Sequence, residues 1–539
     1  MSRERSRAGM ATAAVLVTAG VVALVASRPG SPFTPPLFSG AEGFPPLTAL
    51  AEVLGLDSLS RDAVAVLGAA ALFASAGAFL FALVQAWKGS LSVRRIVIVA
   101  VVLHAVAVAI PLFLSRDVYS YAIYGRMVSH HSANPYTHIP AEFVSDPTYP
   151  LVSVDWIDSP SVYGPAFSAV AGGVTRVVES PAGIVLAFKL LAAAASLGTV
   201  LLVTVAARRV LPERAAFAAV LIGWNPVVVF HGVAGGHNDA LLGLAVAAAV
   251  VALLAHRNLW ATAALAFGAL VKVSGAVPLL IAVVASVLGQ PRGRRSQATV
   301  QHLAVAAAVA APFVIPFMQT EDPTLGTLEV TSRQGWLAPS RFVLVLVRGA
   351  AGAIGGDVAY DVASLVVRVA FPLLFLWVLV ALVRHLARRP DTLGPVVVIG
   401  AMGWASLISV LVSPVLLPWY AAWVLPLAWL LPNPARGGAV LLSVALAITE
   451  LVAEPTRSPG VWEAMVFGLH WVATPIVLFV LVRLVLDLRR RLAMPPAAGL
   501  SSPLLVEHPL DGRRAGPVPS RSAVPAPGQE VSGRAHEEH

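Results

Sequence analysis

Long apolar runs, separated by short polar segments, fill most of the chain. The first run covers residues 10–26 after a basic segment, and because no small-residue cleavage site precedes Arg28, we interpret it as a retained helix rather than a signal peptide. Later runs lie at 62–87, 96–114, 181–206, 215–233, 240–255, 259–289, 298–318, 361–384, 393–413, 417–431, 437–453 and 462–486. Since a helix needs about 20 apolar residues to cross a bilayer core, the pattern predicts an all-α polytopic membrane protein.

Basic residues indicate which ends of these runs face the cytoplasm. They collect in short segments at 3–7, 88–95, 208–214, 256–257, 292–295, 384–389, 436 and 489–491. Cytoplasmic loops carry an excess of Lys and Arg, and all of these segments fall on one side if 161–178 and 340–356 stay at the outer interface. The run 259–289 must then be two short helices bent near residues 272–275. The sequence therefore predicts about 13–14 transmembrane helices, outer-face juxtamembrane helices and cytoplasmic termini.

The composition agrees with a membrane protein. Of 539 residues, 58% are hydrophobic and 12% are charged, and the mean hydropathy is +0.80. A soluble multidomain enzyme needs about twice this share of charged residues, and a disordered chain is far less apolar, so both classes are excluded. The chain has no cysteine and therefore no disulfide or thiolate metal site. The net charge of +9 arises from the short basic segments, so we predict no nucleic-acid partner.

The first polar cluster follows the run 96–114. On a helix, Asp117, Tyr121 and Tyr124 would share one face through their i, i+4 and i+7 spacing, which places a carboxylate beside aromatic rings, with Arg126 close behind. A juxtamembrane helix with Asp117 as its cap would carry the same residues. Spacing alone leaves both interpretations open.

The second cluster occupies the turn before the run 240–255. It contains four polar residues among helix-breaking glycines: His231, His237, Asn238 and Asp239. Consecutive polar side chains at a membrane-embedded turn are costly and mark a pathway or a site, although Asp239 could instead cap the next helix. The two histidines lie six residues apart across glycines, which is not a metal-ligand spacing, so we predict no metal and no cofactor.

Three further candidate positions lie later in the chain. Lys272 occurs within an apolar stretch, where it could snorkel to a head group or pair with a phosphate. Arg333 belongs to a polar segment with an adjacent tryptophan. Trp419 and Tyr420 could form part of an aromatic belt at the membrane interface or could stack on sugar faces.

A single outer carboxylate, cations at membrane level and aromatic surfaces suit the transfer of a sugar from a lipid phosphate. Because nucleotide sugars are not supplied outside the membrane, a donor there arrives on a lipid carrier. Asp117 would be the general base that takes the proton of the acceptor hydroxyl. The candidate cations for the departing phosphate are Lys272, Arg126 and Arg333. Such a single displacement inverts the anomeric configuration.

These motifs resemble those of the actinobacterial polyprenyl-phosphate-mannose-dependent mannosyltransferases of the GT-C superfamily. The resemblance runs from about residue 96 to 485, and its matching segments are 115–121, 125–126, 134–136, 163–165, 225–239, 272 and 418–420. It implies a GT-C-type fold and an inverting α-1,6-mannosyltransferase in the cytoplasmic (inner) membrane with its active site outside. The donor would be polyprenyl-phosphate mannose, and the acceptor a mannan or a phosphatidylinositol-mannoside-type glycolipid of the lipomannan pathway.

The resemblance also implies roles for residues and regions. The role of base falls to Asp117, and the implied substrate-binding residues are Tyr121, His231, His237, Asn238, Asp239, Trp419 and Tyr420. The implied regions are an N-terminal transmembrane pair with an outer loop (1–95), a GT-C catalytic module with its first outer loop at 115–180 (96–320), C-terminal transmembrane helices with outer substrate loops (321–488) and a disordered cytoplasmic tail (489–539).

Two other functions are compatible with a polytopic membrane protein, namely a flippase or transporter of lipid-linked sugars and a non-catalytic envelope scaffold. A transporter would carry charges along its spans near the midplane. Here the runs are almost uncharged apart from Lys189 and Lys272, and the polar clusters gather on one face. This distribution favours an enzyme.

Overall fold

The regular secondary structure in the described part of the chain is helical. The structure is a computed structural model, and it describes residues 2–318, 337–494 and 504. Its α-helices are α1 (Ser2–Ser27), α2 (Pro45–Val53), α3 (Arg61–Trp87), α4 (Val93–Ala109), α5 (Asp117–Ser129), α6 (Pro165–Val177), α7 (Pro181–Val210), α8 (Ala215–Gly223), α9 (Asp239–Leu254), α10 (Asn258–Val271), α11 (Ala276–Leu288), α12 (Arg295–Val314), α13 (Pro339–Ala387), α14 (Pro395–Val412), α15 (Leu425–Ala428), α16 (Ala435–Ala447), α17 (Pro459–Gly468) and α18 (Thr474–Ala493). These ranges contain no β-strand, which confirms the predicted all-α fold class.

Several of these helices can cross a bilayer. Seven in the described ranges are long and apolar enough: Arg5–Ser27, Arg61–Trp87, Pro181–Val210, Arg292–Phe317, Gly355–Ala387, Pro395–Val412 and Pro459–Ala493. An eighth span results if Pro212–Gly223 is counted together with the π-helix Val227–Ala234, which follows it at an angle of 44°. The protein is therefore a multi-pass membrane protein. The difference from the predicted 13–14 helices lies in apolar runs that fold as shorter or broken helices.

Three apolar runs show how such breaks arise. The run 215–233 breaks at Asn225-Pro226, because proline has no N–H for the helix ladder. The run 259–289 breaks between Val271 and Ala276, which confirms the predicted bend. The run 417–431 does not form a span: it folds as the 3₁₀-helix Pro418–Trp423 followed by the four residues of α15.

The two segments predicted to stay at the outer interface are also separate from the membrane spans. Segment 161–178 contains α6, which has 13 residues and is too short to cross a bilayer core. Segment 340–356 forms the first part of α13 and ends at Gly356, where φ of 65° and ψ of −157° interrupt the helix. This break falls at the predicted boundary between the segment and the span that follows it.

The polar turns and the basic loops lie at opposite ends of the same helices. Helix α9 begins at Asp239 and ends just before Arg257, while α11 begins after Lys272 and ends before Arg292. Helix α4 likewise begins beside Arg95 and ends before the segment that leads to Asp117. One end of the helical bundle is therefore basic, and the other carries the polar clusters.

A second apolar core, smaller than the main one, supports the helix that begins at Asp117. It contains Tyr121, Phe167 and Phe188 from α5, α6 and α7, and their rings meet edge to face or tilted with centroids 4.7–6.0 Å apart. Nearly every side chain of α5 between its first and last turn is buried, so this helix is not amphipathic as an interfacial helix would be. Its position is fixed by packing on all sides.

The described residues belong to one compact unit. The predicted regional boundaries after residues 95 and 320 fall inside this unit and stay predictions. Helix α18 continues to Ala493, beyond the start predicted for the tail. Apart from Leu504, the predicted tail beyond residue 494 lies outside the described residues.

We predict that Gly125→Ala destabilises the protein by about 1–3 kcal/mol through overpacking. A Cβ atom at Gly125 on α5 would lie 2.6 Å from the carbonyl oxygen of Ala171 on α6, so the two helices would have to separate. The measurement is the midpoint of thermal unfolding in detergent. Gly173→Ala, on α6 with nothing within 4 Å of the added carbon, is the control and should keep the wild-type midpoint. Equal midpoints for both variants would contradict the prediction.

Candidate active site

Asp117 begins α5 at the end of a short irregular segment, residues 110–116. Within it, Leu114 adopts a left-handed φ of 60°, which is uncommon for a residue with a side chain and is found preferentially at functional sites. Lys189 on α7 is buried, and its ammonium donates to the carbonyl oxygens of the first two residues of the segment. The buried Lys189 side chain thus fixes the backbone that leads to Asp117.

His237 lies in the turn between the π-helix Val227–Ala234 and α9. Gly236 takes φ of 66°, and a Cβ atom there would lie 2.7 Å from Cγ2 of Val118 on α5, so the turn packs against α5 only because this residue is glycine. This approach places Nδ1 of His237 3.5 Å from Oδ2 of Asp117. The two polar clusters, far apart in the sequence, therefore form one site.

The charges around Asp117 keep it ionised. Burial acts to raise the pKa of Asp117, but its contact with His237 and the positive charge of Lys272 outweigh burial, so the pKa lies below its ordinary value. The side chain is 24% exposed. An ionised carboxylate that remains accessible can accept the proton of a bound hydroxyl group.

Two buried polar atoms without protein partners lie on His237, which contacts this carboxylate, and on the next residue, Asn238. Nε2 of His237 and Nδ2 of Asn238 are buried, and no described residue offers either of them a hydrogen bond. The Tyr121 hydroxyl donates to Oδ1 of Asn238 at 3.3 Å, which fixes the direction of that amide. Buried donors of this kind are normally satisfied, so these atoms are suited to the hydroxyl groups of a bound ligand.

Lys272 and Asp239 form the second charged pair of the site. The Lys272 ammonium lies 2.8 and 2.9 Å from the two carboxylate oxygens of Asp239, and Nε1 of Trp423 donates to the same carboxylate at 2.6 Å. The ammonium also lies 4.8 Å from the centre of the Tyr420 ring. Asp239 is thus the counter-charge of Lys272 as well as the first residue of α9. The predicted contact of Lys272 with a donor phosphate stays a prediction.

Glu450, in the loop after α16, completes the site. Its Oε2 lies 3.9 Å from Nδ1 of His231, whose Nε2 contacts the carbonyl oxygen of Ala447 at 3.1 Å. Burial and the negative charge of Asp117 raise the pKa of Glu450 to about 8. The site therefore combines an ionised carboxylate with a carboxyl group that is protonated at neutral pH.

The aromatic segment Pro418–Trp423 packs inside the protein. Trp419 stacks on the His237 ring with centroids 3.6 Å apart, and Tyr420 stacks on Trp423 at 3.9 Å. Both predicted rings are buried, so the alternative of an aromatic belt at the membrane interface is wrong. One face of each ring is covered by a protein ring, and the stacking of these residues on a sugar stays a prediction.

The structure does not bring Arg126 to this site. Its Nε donates to both carboxylate oxygens of Asp146 at 3.0 and 2.8 Å, and nine residues of helix, about 13 Å of rise, separate it from Asp117. Arg126 therefore anchors the loop after α5, and this contact runs against its predicted role in binding the donor phosphate. Arg333 lies outside the described residues.

The site residues predicted from the sequence do not include Glu450, Trp423 or Arg116. Glu450 lies inside the predicted run 437–453, and a carboxylate within an apolar run is itself a sign of a functional position. Trp423 follows the predicted aromatic pair by one turn. Arg116 directly precedes Asp117, but nothing in its spacing shows that it pairs with Glu454.

The described residues contain no group of three or more His, Asp or Glu side chains that could hold a metal ion. The carboxylates of the site are instead paired with His237, Lys272 or His231. The expectation that the protein uses no metal and no cofactor stays a prediction.

The first half of the sequence matches the model of a known protein family. Residues 7–288, just over half of the chain, match the family model described as "Alpha-(1->6)-mannopyranosyltransferase, N-terminal domain". The chain belongs to this family. The match includes Asp117, His237 and Lys272, and it confirms the resemblance to actinobacterial mannosyltransferases that the motifs indicated.

Two relatives within the alpha-(1->6)-mannopyranosyltransferases extend this comparison. Alpha-(1->6)-mannopyranosyltransferase A of Mycobacterium tuberculosis is 27% identical over 390 residues, which cover 68% of this chain and 70% of that protein. Alpha-(1->6)-mannopyranosyltransferase B of Corynebacterium glutamicum is 27% identical over 344 residues, 59% of this chain and 56% of that protein. Both alignments cover more than half of each chain.

A solved structure with some likeness is the archaeal oligosaccharyltransferase AglB from Archaeoglobus fulgidus, in complex with an inhibitory peptide and a dolichol-phosphate. The likeness covers 73% of this chain and 56% of that chain, at 13% identity and a TM-score of 0.35. A likeness this weak supports no conclusion about fold or function.

We predict that Lys272→Met destabilises the protein by about 3–5 kcal/mol, because it leaves the buried Asp239 carboxylate without its counter-charge. Lys272→Met combined with Asp239→Asn should recover most of this loss, since the double variant buries no unpaired charge. The free energy of unfolding of both single variants and of the double variant gives the coupling energy. If the loss of stability in the double variant equals the sum of the losses in the two single variants, the two residues act independently.

Proposed function

We propose that the protein transfers mannose from polyprenyl-phosphate mannose to a mannan or glycolipid acceptor and forms an α-1,6 linkage with inversion. Membership of the family and the names of its relatives support a mannosyltransferase. The observation that carries the proposal is the ionised Asp117, held beside His237 in a buried site at the end of membrane helices. Asp117 is the base.

The reaction proceeds as a single displacement. Asp117 accepts the proton of the acceptor hydroxyl while that oxygen attacks the anomeric carbon of mannose. The new carbon–oxygen bond forms as the bond to the phosphate oxygen breaks, and its electron pair leaves with polyprenyl phosphate. Attack opposite to the leaving group inverts the configuration.

The remaining side chains bind and orient the sugar. His237 positions Asp117 through its Nδ1 atom, and the Trp419 ring stacks on the face of the histidine. Nε2 of His237 and Nδ2 of Asn238 are available to accept from or donate to sugar hydroxyls. Correct placement of the reacting groups accounts for a large part of the rate enhancement in enzymes that transfer groups between two substrates.

The site faces the outside of the cytoplasmic membrane in this proposal. Basic loops lie at the opposite ends of the helices that carry the site, and such loops remain in the cytoplasm. Both termini are then cytoplasmic. A site outside the membrane has no supply of nucleotide sugars, so the donor must be lipid-linked.

A lipid-linked sugar transporter is the alternative function. A transporter needs no base beside an acceptor site, whereas Asp117 is ionised and accessible and contacts His237, whose Nε2 has no protein partner. These features favour chemistry at the site.

We expect Asp117→Asn to lower the rate of mannose transfer at least about 100-fold, because an amide cannot accept the proton. The assay uses purified protein, radiolabelled polyprenyl-phosphate mannose and a short α-mannoside acceptor, with linkage analysis of the product. Asp158→Asn, at an exposed position of the loop after α5, is the control and should retain activity. Transfer by Asp117→Asn at the wild-type rate would remove Asp117 from the mechanism, and movement of lipid-linked sugar without transfer would favour the transporter.

We expect the rate of transfer to fall above about pH 8, because Glu450 then ionises and adds a negative charge beside Asp117 and the anionic donor. On the acid side, activity should persist to below about pH 4, since the base Asp117 has a pKa below its ordinary value and loses its charge only there. The profile of kcat/KM against pH provides the test. Glu450→Gln, which stays neutral, should lose the alkaline decline, and a decline that persists in this variant would refute the assignment.

A further inference from the structure

An apolar cleft of about 690 Å³ lies beside the active site, between α3, α16 and the helices α17 and α18. Its walls include Leu442 and Val480, and it opens to the surface between side chains that are themselves exposed, such as Phe73 at 54% and Ile476 at 49%. In a membrane this surface meets lipid. The cleft is therefore open toward the lipid, so a long apolar chain can enter it from the membrane.

The cleft ends at the loop that carries Glu450. Thr449 and Leu451 line the cleft, and the backbone N–H of Leu451 contacts the Met465 sulfur on the opposite wall at 3.2 Å. Glu450 lies between these two residues and contacts His231 of the active site. One short loop thus forms both the end of the cleft and a wall of the active site.

Two arginines lie at the same end. Arg116 directly precedes Asp117 and pairs with Glu454, and Nε of Arg457 lies 3.3 Å from the other oxygen of the same carboxylate. Their side chains are 28% and 30% exposed. The two guanidinium groups share the Glu454 carboxylate, and the negative charge of Asp155 also acts on Arg116, so what they offer an anion is partly exposed N–H donors. Guanidinium groups are well suited to phosphate because they donate two parallel hydrogen bonds.

We propose that the isoprenoid chain of the donor lies in this cleft and that Arg116 and Arg457 bind its phosphate, an inference that rests on the proposed function. In the donor, the phosphate joins the apolar chain to the carbon that reacts. The structure presents matching elements in the same order, namely the cleft, the two arginines and Asp117.

The acceptor does not match this arrangement of cleft, arginines and base. Its lipid anchor is separated from the reacting hydroxyl by the sugars of the mannan, so its chain has no reason to lie next to Asp117. Lys272, the other cation at the site, is paired with Asp239 and its side chain is only 18% exposed, whereas Arg126 binds Asp146 away from the site. The more exposed Arg116 and Arg457 are therefore the phosphate ligands of this proposal.

The test compares two donors that differ in chain length alone, a long-chain polyprenyl-phosphate mannose and its geranyl analogue. Ala464→Trp fills the cleft from α17. The ratio of kcat/KM for the long donor to that for the short donor should fall at least tenfold. A variant that folds poorly loses activity with both donors alike, so the ratio reports on the cleft itself.

Phe467→Trp is the matched control. It lies on the same helix at a position that is 64% exposed and does not line the cleft, so it adds aromatic surface toward lipid and should keep the wild-type ratio. Arg457→Gln tests the phosphate contact. It should raise KM about tenfold for both donors and leave their ratio unchanged, because both carry the same phosphate.

A photoreactive polyprenyl phosphate without mannose tests the cleft independently of catalysis. Crosslinks should map to 438–445 or 461–476 in the wild type and should weaken in Ala464→Trp. An unchanged donor ratio in that variant, a change in KM for the acceptor alone, or crosslinks outside the cleft would each overturn the placement. Transfer from neither donor would refute the proposed function instead, while the crosslinks would still decide where the chain binds.

Discussion

The Asp239 carboxylate, only 1% exposed in a membrane protein, must be neutralised, and much of the site depends on how this is done. Lys272 can reach it only because the chain breaks between α10 and α11, which places the ammonium at the start of α9. The same carboxylate accepts from Trp423, so the aromatic segment Pro418–Trp423 is held against the pair. Three segments distant in sequence are thus joined at one buried charge.

The contacts at Asp239 also position the other rings of the segment Pro418–Trp423. Trp423 stacks on Tyr420, and Trp419 of the same 3₁₀-helix stacks on His237, which lies against Asp117. Gly164 adds a further constraint, because a Cβ there would lie 2.1 Å from the Leu270 carbonyl oxygen at the end of α10. The base is therefore oriented by packing that begins at an ion pair on other helices.

The sequence predicted most of the helices and several residues of the site, for a physical reason. Polar side chains are expensive in an apolar protein, so those that occur between apolar runs stand out. Asp117, His237 and Lys272 were found in this way, and the structure brings them together. Which charged side chains would pair with each other was harder to predict. Spacing gave no sign that Arg126 would bind Asp146 or that Lys272 would bind Asp239, because such contacts depend on tertiary packing. The run 417–431 looked like a span, but its prolines permit only short helices.

Glu450 shows why a site of this kind belongs at the boundary of the membrane. The same environment lowers the pKa of Asp117, because His237 and Lys272 favour its charged form, and raises the pKa of Glu450, because that group is buried beside the Asp117 charge. Burial contributes most to the raised pKa of Glu450, and membrane helices supply the low dielectric that this requires. An acceptor sugar, however, arrives from water. A base that begins a helix just beyond the end of α4 meets both requirements, since its neighbours are buried while its own oxygens remain accessible.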